Sequence, residues 1–410
     1  MSLVYQRLVI RSRNCLTQCL RLVSGQKEKG PSLQFSSVAY IWGAGDGGQL
    51  GTGTHETSLL PIKFPVSEEV SCIGCGYGFT LAADTSSSHI WTTGLNTFGQ
   101  LGRQLTCNNL KESDEKPAAV NIHVATLPSR VEQISCGRSH SVVLLTDGEV
   151  LSCGGNYHGQ CGVGDLGSKL IRQFTKIPDI PGRIVQIACG MDHTLLLSDE
   201  GEVFSCGWGA DGQTGLGHFH NEATFKPIQG ALKDVRIKQI ATSADCCLAL
   251  SVEGEAFSWG NNEYQQLATG SDEEQLAAPT RAKLLKNLPQ IKQVSAGGSN
   301  CAVVTESGDV YSWGYGVLGH GREVSFTKTP KKIQEFDNID EPVARVCCGP
   351  DYMTVITDSG SLYTWGRGSF GRLGLGSTED QWIPKKVSLP GEVIEISCGL
   401  DHMAAIIRLT

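Results

Sequence analysis

The chain has 410 residues, 50 of them glycine, and a formal net charge of −8. That acidic balance argues against wide, non-specific phosphate contact. No run of about 18 apolar residues is present to cross a membrane as a helix, and there is no Gly-x-Ser-x-Gly, Walker loop or His-Glu-x-x-His on which to build an enzyme.

Residues 1–37 differ from the rest. Arg7, Arg11, Arg13, Arg21 and Lys27 all precede the first acidic residue, Glu28. On a helical wheel Arg7, Arg11, Asn14, Gln18 and Arg21 share one face, while Leu8, Cys15, Leu16, Cys19, Leu20 and Val23 gather on the other. An amphipathic, arginine-rich, acid-poor start predicts a mitochondrial transit peptide, with Gly30 to Ser37 as linker. Removing residues 1–27 takes five positive charges with it and moves the net charge to −13.

From residue 38 to 410 the chain repeats. A Trp-Gly signature and its variants place glycine at Gly43, Gly94, Gly154, Gly207, Gly260, Gly314 and Gly366. A Cys-Gly signature places its second residue at Gly76, Gly137, Gly190, Ser243, Gly297, Gly349 and Gly399. Spacings are mostly 50 to 54 residues, with one interval near 60, and from a Cys-Gly to the Trp-Gly that follows it is always 17 or 18. A period of this size means units that bury their apolar faces only against one another. Inside a unit, Ser141–Thr146, Asp147-Gly148 and Glu149–Cys153 read as a hairpin on a two-residue turn. Glu200-Gly201, Glu253-Gly254, Ser307-Gly308 and Ser359-Gly360 fill the same place. Glycine-rich turns follow: GDGGQLG at 45–51, FGQLG at 98–102, HGQCG at 158–162 and FGRLG at 370–374.

The repeat is split across the ends. A Trp-Gly strand at Tyr40–Gly43 has no Cys-Gly before it, and a Cys-Gly strand from Cys398 to Ile407 has no Trp-Gly after it. Six complete pairs lie between, and the two halves make a seventh. A closed ring whose N-terminal strand completes the last unit leaves no sheet edge between the ends. Residues 103–130 form the longest insertion, read either as a solvated loop or as a contact loop. Trp382–Val387 leads into the final half-unit.

This grammar, Cys-Gly-x-x-His with Trp-Gly-x-x-x-x-Gly-Gln-Leu-Gly, resembles the regulator of chromosome condensation family. The resemblance covers about 38–407 and implies an all-β, seven-bladed β-propeller. Trp-Asp and Kelch propellers fit less well, and the Gly-Trp-Arg-His-Thr repeat of the plant ultraviolet-receptor branch is absent. CGYGFTL (75–81), SCGRSHSVVL (135–144), SCGWGADGQTGLGH (205–218) and DCCLALS (245–251) look like the family's mitochondrial branch. That likeness implies two roles. One is guanine nucleotide exchange on the dynamin-related fusion GTPase of the inner mitochondrial membrane, with the protein in the matrix or peripheral on that membrane. The other is assembly of the mitochondrial ribosome, with large-subunit ribosomal RNA and ribosome-assembly proteins as partners. A protein-only scaffold is the alternative.

The residues allow a site for each role. His140, His193 and His402 occupy one repeat slot, which elsewhere holds Phe79, Cys246, Asn300 and Tyr352. A slot that accepts such different side chains reads as mainly structural. The residue before it is Asp192, Asp245, Asp351 or Asp401 in four copies, which predicts an acidic, partly histidine-lined mouth at one end of the ring. In the nuclear relative, aspartates and histidines on one face serve exchange. The resemblance therefore nominates Asp192, His193, Asp245, Asp351, Asp401 and His402 for contact with a GTPase. For RNA the candidates are Lys283, Lys286, Lys328, Lys331, Lys332, Lys385 and Lys386, whose plainer reading is solvated loop charge. The 16 cysteines mostly recur in register, as small buried side chains do. Cys72 and Cys75 form a Cys-x-x-Cys without a second pair at zinc spacing, so neither metal nor cofactor is expected.

Overall fold

The computed structural model describes residues 37–84, 86–103, 121–164, 167–178, 180–339 and 341–409. Of the expected leader and linker, 1–37, only Ser37 is described, and it opens a strand of the ring rather than ending the linker; the rest, and the centre of the long insertion, 104–120, lie outside the described residues.

Seven four-stranded antiparallel sheets make the ring. Numbered along the chain, blades 1 to 6 span 72–126, 131–176, 184–227, 237–281, 291–332 and 343–386. Each is a simple meander. Blade 7 is the split one: its inner strands β27 (Glu392–Cys398) and β28 (His402–Arg408) come from the C-terminal end, and β1 (Ser37–Gly43) and β2 (Ser58–Lys63) complete it. β1 and β28 pair along seven residues, from Ser37 opposite Arg408 to Gly43 opposite His402. The expected closure is therefore the observed one.

The sequence showed two strands per unit and the structure has four. The outer strands escape notice because they are half wet: Leu170–Lys176 has no buried residue. Part of the long insertion is such a strand, His123–Thr126, paired with His89–Thr92. The hairpin turn also differs. Only Gly148 has positive φ, at 90°, and the Leu145 N–H reaches Glu149 O at 2.8 Å, a three-residue loop with a glycine bulge.

Apolar side chains pack between blades rather than within them. Trp259 packs against Leu195 and Leu197 of the preceding blade, Trp313 against Leu248, and Trp42 against Ile356. The inner strands are also stitched to one another by a belt of side chains. Gln133 accepts from Ile187 N at 2.9 Å and donates to Ile187 O at 3.1 Å. Gln186, Gln239 and Gln293 repeat this double bond on Ile240, Val294 and Val346. At the remaining steps Cys72 reaches Glu132 O, Arg345 donates to Ile394 O at 3.2 Å, and Glu395 accepts from Ile73 N.

Candidate functional site

In each meander the first-to-second and third-to-fourth turns lie at the same end, because antiparallel strands alternate direction. The Cys-Gly turns and the Gly-Gln turns therefore share one end of the ring, the mouth end. The Asp-Gly turns and the links between blades share the other.

The slot residues Phe79, His140, His193, Cys246, Asn300, Tyr352 and His402 are all buried, none more than 1% exposed. They bind blade to blade. His140 Nε2 meets Thr194 Oγ1 at 3.0 Å, and His402 Nε2 meets Thr80 Oγ1 at 2.8 Å. His193 Nε2 lies 3.0 Å from Thr242 Oγ1 and 3.2 Å from Cys247 Sγ, and Tyr352 donates to Gly399 O at 2.8 Å. Burial drives all three imidazoles down to about 3, so they are neutral at physiological pH. His193 and His402 thus present no surface at the mouth, and the expected histidine lining is absent there.

The aspartates do reach the mouth, in two different states. Three are held by a donor from the Gly-Gln turn of the preceding blade. Gln160 Nε2 donates to Asp192 at 3.3 Å, Gln213 Nε2 to Asp245 at 3.0 Å, and Arg372 Nη1 to Asp401 at 3.1 Å. Asp192 also pairs with Arg138 of the neighbouring turn. Burial pushes all three carboxyls up, against the pull of Arg138 on Asp192, Gln213 on Asp245 and Arg372 on Asp401. Asp351 is exposed and has no partner among the described residues.

Several mouth residues gave no signal in the sequence. Tyr77 is half-buried, and its hydroxyl has no hydrogen-bond partner among the described residues. Its phenol is pushed up by burial, and also by Asp245, Asp192 and Asp351 against Arg138. The other copies hold Arg138, Met191, Ala244, Gly298, Pro350 and Leu400 at this place, so size alone did not set Tyr77 apart. The third-to-fourth turns also carry aromatics: Phe98 lies edge-on to Tyr157 at 6.3 Å, His158 to Trp208 at 4.4 Å, and Tyr264 stacks on Tyr315 at 5.1 Å.

The lysines fall elsewhere. Lys283, Lys286, Lys331, Lys332, Lys385 and Lys386 follow or end fourth strands, at the end opposite the mouth, while Lys328 lies near the start of its strand. Lys328 pairs with Asp272 at 2.5 Å, and Lys332 with Asp309 and Asp337 at 2.8 and 2.6 Å. Lys386 lies over the Tyr363 ring at 6.0 Å. Burial pushes the thiols of Cys72, Cys75 and Cys189 up to about 12, which leaves them poor nucleophiles.

Comparison with known proteins agrees with this architecture. The RCC1-like domain family matches residues 38–405. A mouse protein named RCC1-like G exchanging factor-like protein is 39% identical over 365 residues, covering 85% of this chain and 79% of its own. The crystal structure of human WBSCR16 superposes with a TM-score of 0.84 at 35% identity, covering 91% of this chain and 99% of that one. Yeast RCC1 (Prp20), solved bound to Kap60, shares the fold at TM-score 0.77 and 22% identity, covering 95% and 96%.

Proposed function

Because this chain belongs to the RCC1-like propeller family, we propose that it acts by binding, as a guanine nucleotide exchange factor that receives a GTPase on its mouth end. The observation that carries this is the ring of slot aspartates, three clamped by Gln160, Gln213 and Arg372 and one, Asp351, left open to solvent. Exchange needs no covalent step. A factor that prefers the nucleotide-free GTPase weakens nucleotide binding, and nucleotide weakens the factor's binding in return. Carboxylates at the mouth would compete with phosphate for the GTPase's lysine and magnesium. The histidines of the slot are left out of this role, because their rings are sealed between blades.

The partner proposed is the dynamin-related GTPase of the inner mitochondrial membrane, with this protein in the matrix or peripheral on that membrane. The arginine-rich segment 1–37 and the likeness to the mitochondrial branch support that location. GDP release from the purified GTPase tests it: wild type should accelerate release, and joint replacement of Asp192, Asp245, Asp351 and Asp401 by alanine should abolish the acceleration. Equal acceleration by a folded quadruple variant would sink the reading.

A second reading rests on Lys283, Lys286, Lys331 and Lys385, which have no ion pair among the described residues and lie away from the mouth. They leave room for mitochondrial large ribosomal RNA and ribosome-assembly proteins at the opposite end. Crosslinking of the tagged protein in cells, with sequencing of bound RNA, decides this. Enrichment of that RNA that disappears on charge reversal of the four lysines supports it. No enrichment removes it and leaves the exchange factor or a protein-only scaffold.

A further inference from the structure

The opening stretch of the third-to-fourth turn, just after the Trp-Gly glycine, is unusually short in one blade. Six residues separate the Trp-Gly glycine from the next anchored position in blades 2, 3, 4 and 6, where a strand hydroxyl donates to Cys161 O, Thr214 O, Leu267 O and Leu373 O. In blade 5 the same bond, Ser312 Oγ to Leu318 O at 2.6 Å, comes after only three residues, Tyr315-Gly316-Val317. The Gly-Gln element of that turn is missing.

Two groups of blade 6 lose what the turn supplies elsewhere. Trp42, Trp259 and Trp313 donate their indole N–H to the turn carbonyls of Arg372, Gln213 and Gln266 at 2.9, 3.0 and 2.8 Å. Trp365 is 0% exposed and its Nε1 has no acceptor among the described residues. Asp192, Asp245 and Asp401 each receive a turn side chain, whereas Asp351 receives none. Beside the short turn stands an aromatic wall. Tyr315 is 47% exposed, stacks on Tyr264, and faces Phe326, itself 51% exposed, across the strand pair.

We infer that the place vacated by the short fifth-blade turn docks an arginine side chain carried on a loop of a partner protein. The chain itself holds the template. At the next blade Arg372 bonds the Asp401 carboxylate at 3.1 Å and the Leu400 carbonyl at 2.9 Å, with its guanidinium 5.5 Å from the Tyr352 ring. A free carboxylate and, on the shortened turn itself, an exposed tyrosine stack are the two kinds of group that suit the same planar cation. This deepens the exchange-factor reading, on which it rests for the existence of a mouth-end partner, but its test uses no GTPase.

The probe is an end-blocked peptide of residues 368–375, Gly-Ser-Phe-Gly-Arg-Leu-Gly-Leu, titrated calorimetrically into the full chain. Saturable binding is expected, weakened about tenfold or more by Asp351→Asn, or by alanine at the peptide's arginine, as loss of a charge-assisted hydrogen bond requires. A graft replacing residues 315–317 by the six residues 367–372 should fill the place in cis and abolish binding. Equal binding to wild type, Asp351→Asn and graft overturns the inference, as does equal binding of the alanine peptide. Binding as expected, with no effect of the protein on GDP release, keeps the docking point and removes the exchange reading instead.

Discussion

Glu395 occupies a belt position that glutamine fills at four of the seven steps, and replacing it by glutamine should stabilise the ring in a pH-dependent way. As a carboxylate it accepts from Ile73 N, but it cannot return a hydrogen bond to the Ile73 carbonyl as Gln133 does to Ile187. Burial pushes its carboxyl up to about 7, with Arg345 pulling the other way. A group whose folded value lies above its unfolded one takes up a proton on folding. Its contribution is therefore complete below about pH 4.5 and is lost as pH rises toward 7. The rise corresponds to roughly 2–3 kcal/mol, taken at the lower end because the side chain is only half-buried. Glutamine stands in for the protonated acid and adds the missing donor. Thermal melts of wild type and Glu395→Gln at pH 5 and pH 8 are the assay. The variant should gain several degrees at pH 8 and much less at pH 5. An equal gain at both pH values, or a loss at pH 8, would refute the reasoning.

Other perturbations test the seams. Gly207 has φ +105°, and an added Cβ would lie 2.5 Å from Asp192 O and 2.6 Å from His193 Cα. Gly207→Ala should cost roughly 3 kcal/mol or more, seen as a lowered melting temperature or a loss of folded protein. Arg372→Ala removes a 5% exposed side chain that serves Arg367 O, Leu400 O and Asp401, and should cost about 3–5 kcal/mol. Arg372→Gln should recover much of that, as Gln160 and Gln213 show for the equivalent bond, and equal melting of the two variants would contradict the clamp. Deleting residues 37–43 unpairs β28 along one whole edge, so size-exclusion chromatography should show association through it. A monomeric, cooperatively melting deletion would mean the seam does not hold the ring.

The ring was legible because its costliest positions repeat. Gly43, Gly94, Gly154, Gly207, Gly260, Gly314 and Gly366 all have positive φ, and each sits against the backbone of the second strand, so no other residue fits. Cys-Gly and Trp-Gly mark the same constraint from two sides. The outer strands were illegible for the opposite reason: Ser58–Lys63 and Leu170–Lys176 face water on much of their surface and carry no period. At the mouth, aligning the copies found the aspartates, but the donors that hold three of them lie in the preceding blade. The bond between Gln213 and Asp245 spans 32 residues, and no local pattern announces it. The histidines misled for a related cause. Recurrence in register reports a shared position, and whether that position faces solvent depends on the neighbouring blade.

The pairing of Ser37 with Arg408 also fixes how the protein can be held. Both residues are at the end of β28 away from His402 and the slot turns, so the described chain leaves the ring on the side opposite the mouth at both termini. A leash attached at either end, whether a surface, a label or a fused domain, therefore presents the aspartate-bearing turns outward, and immobilisation for binding assays needs no internal attachment point.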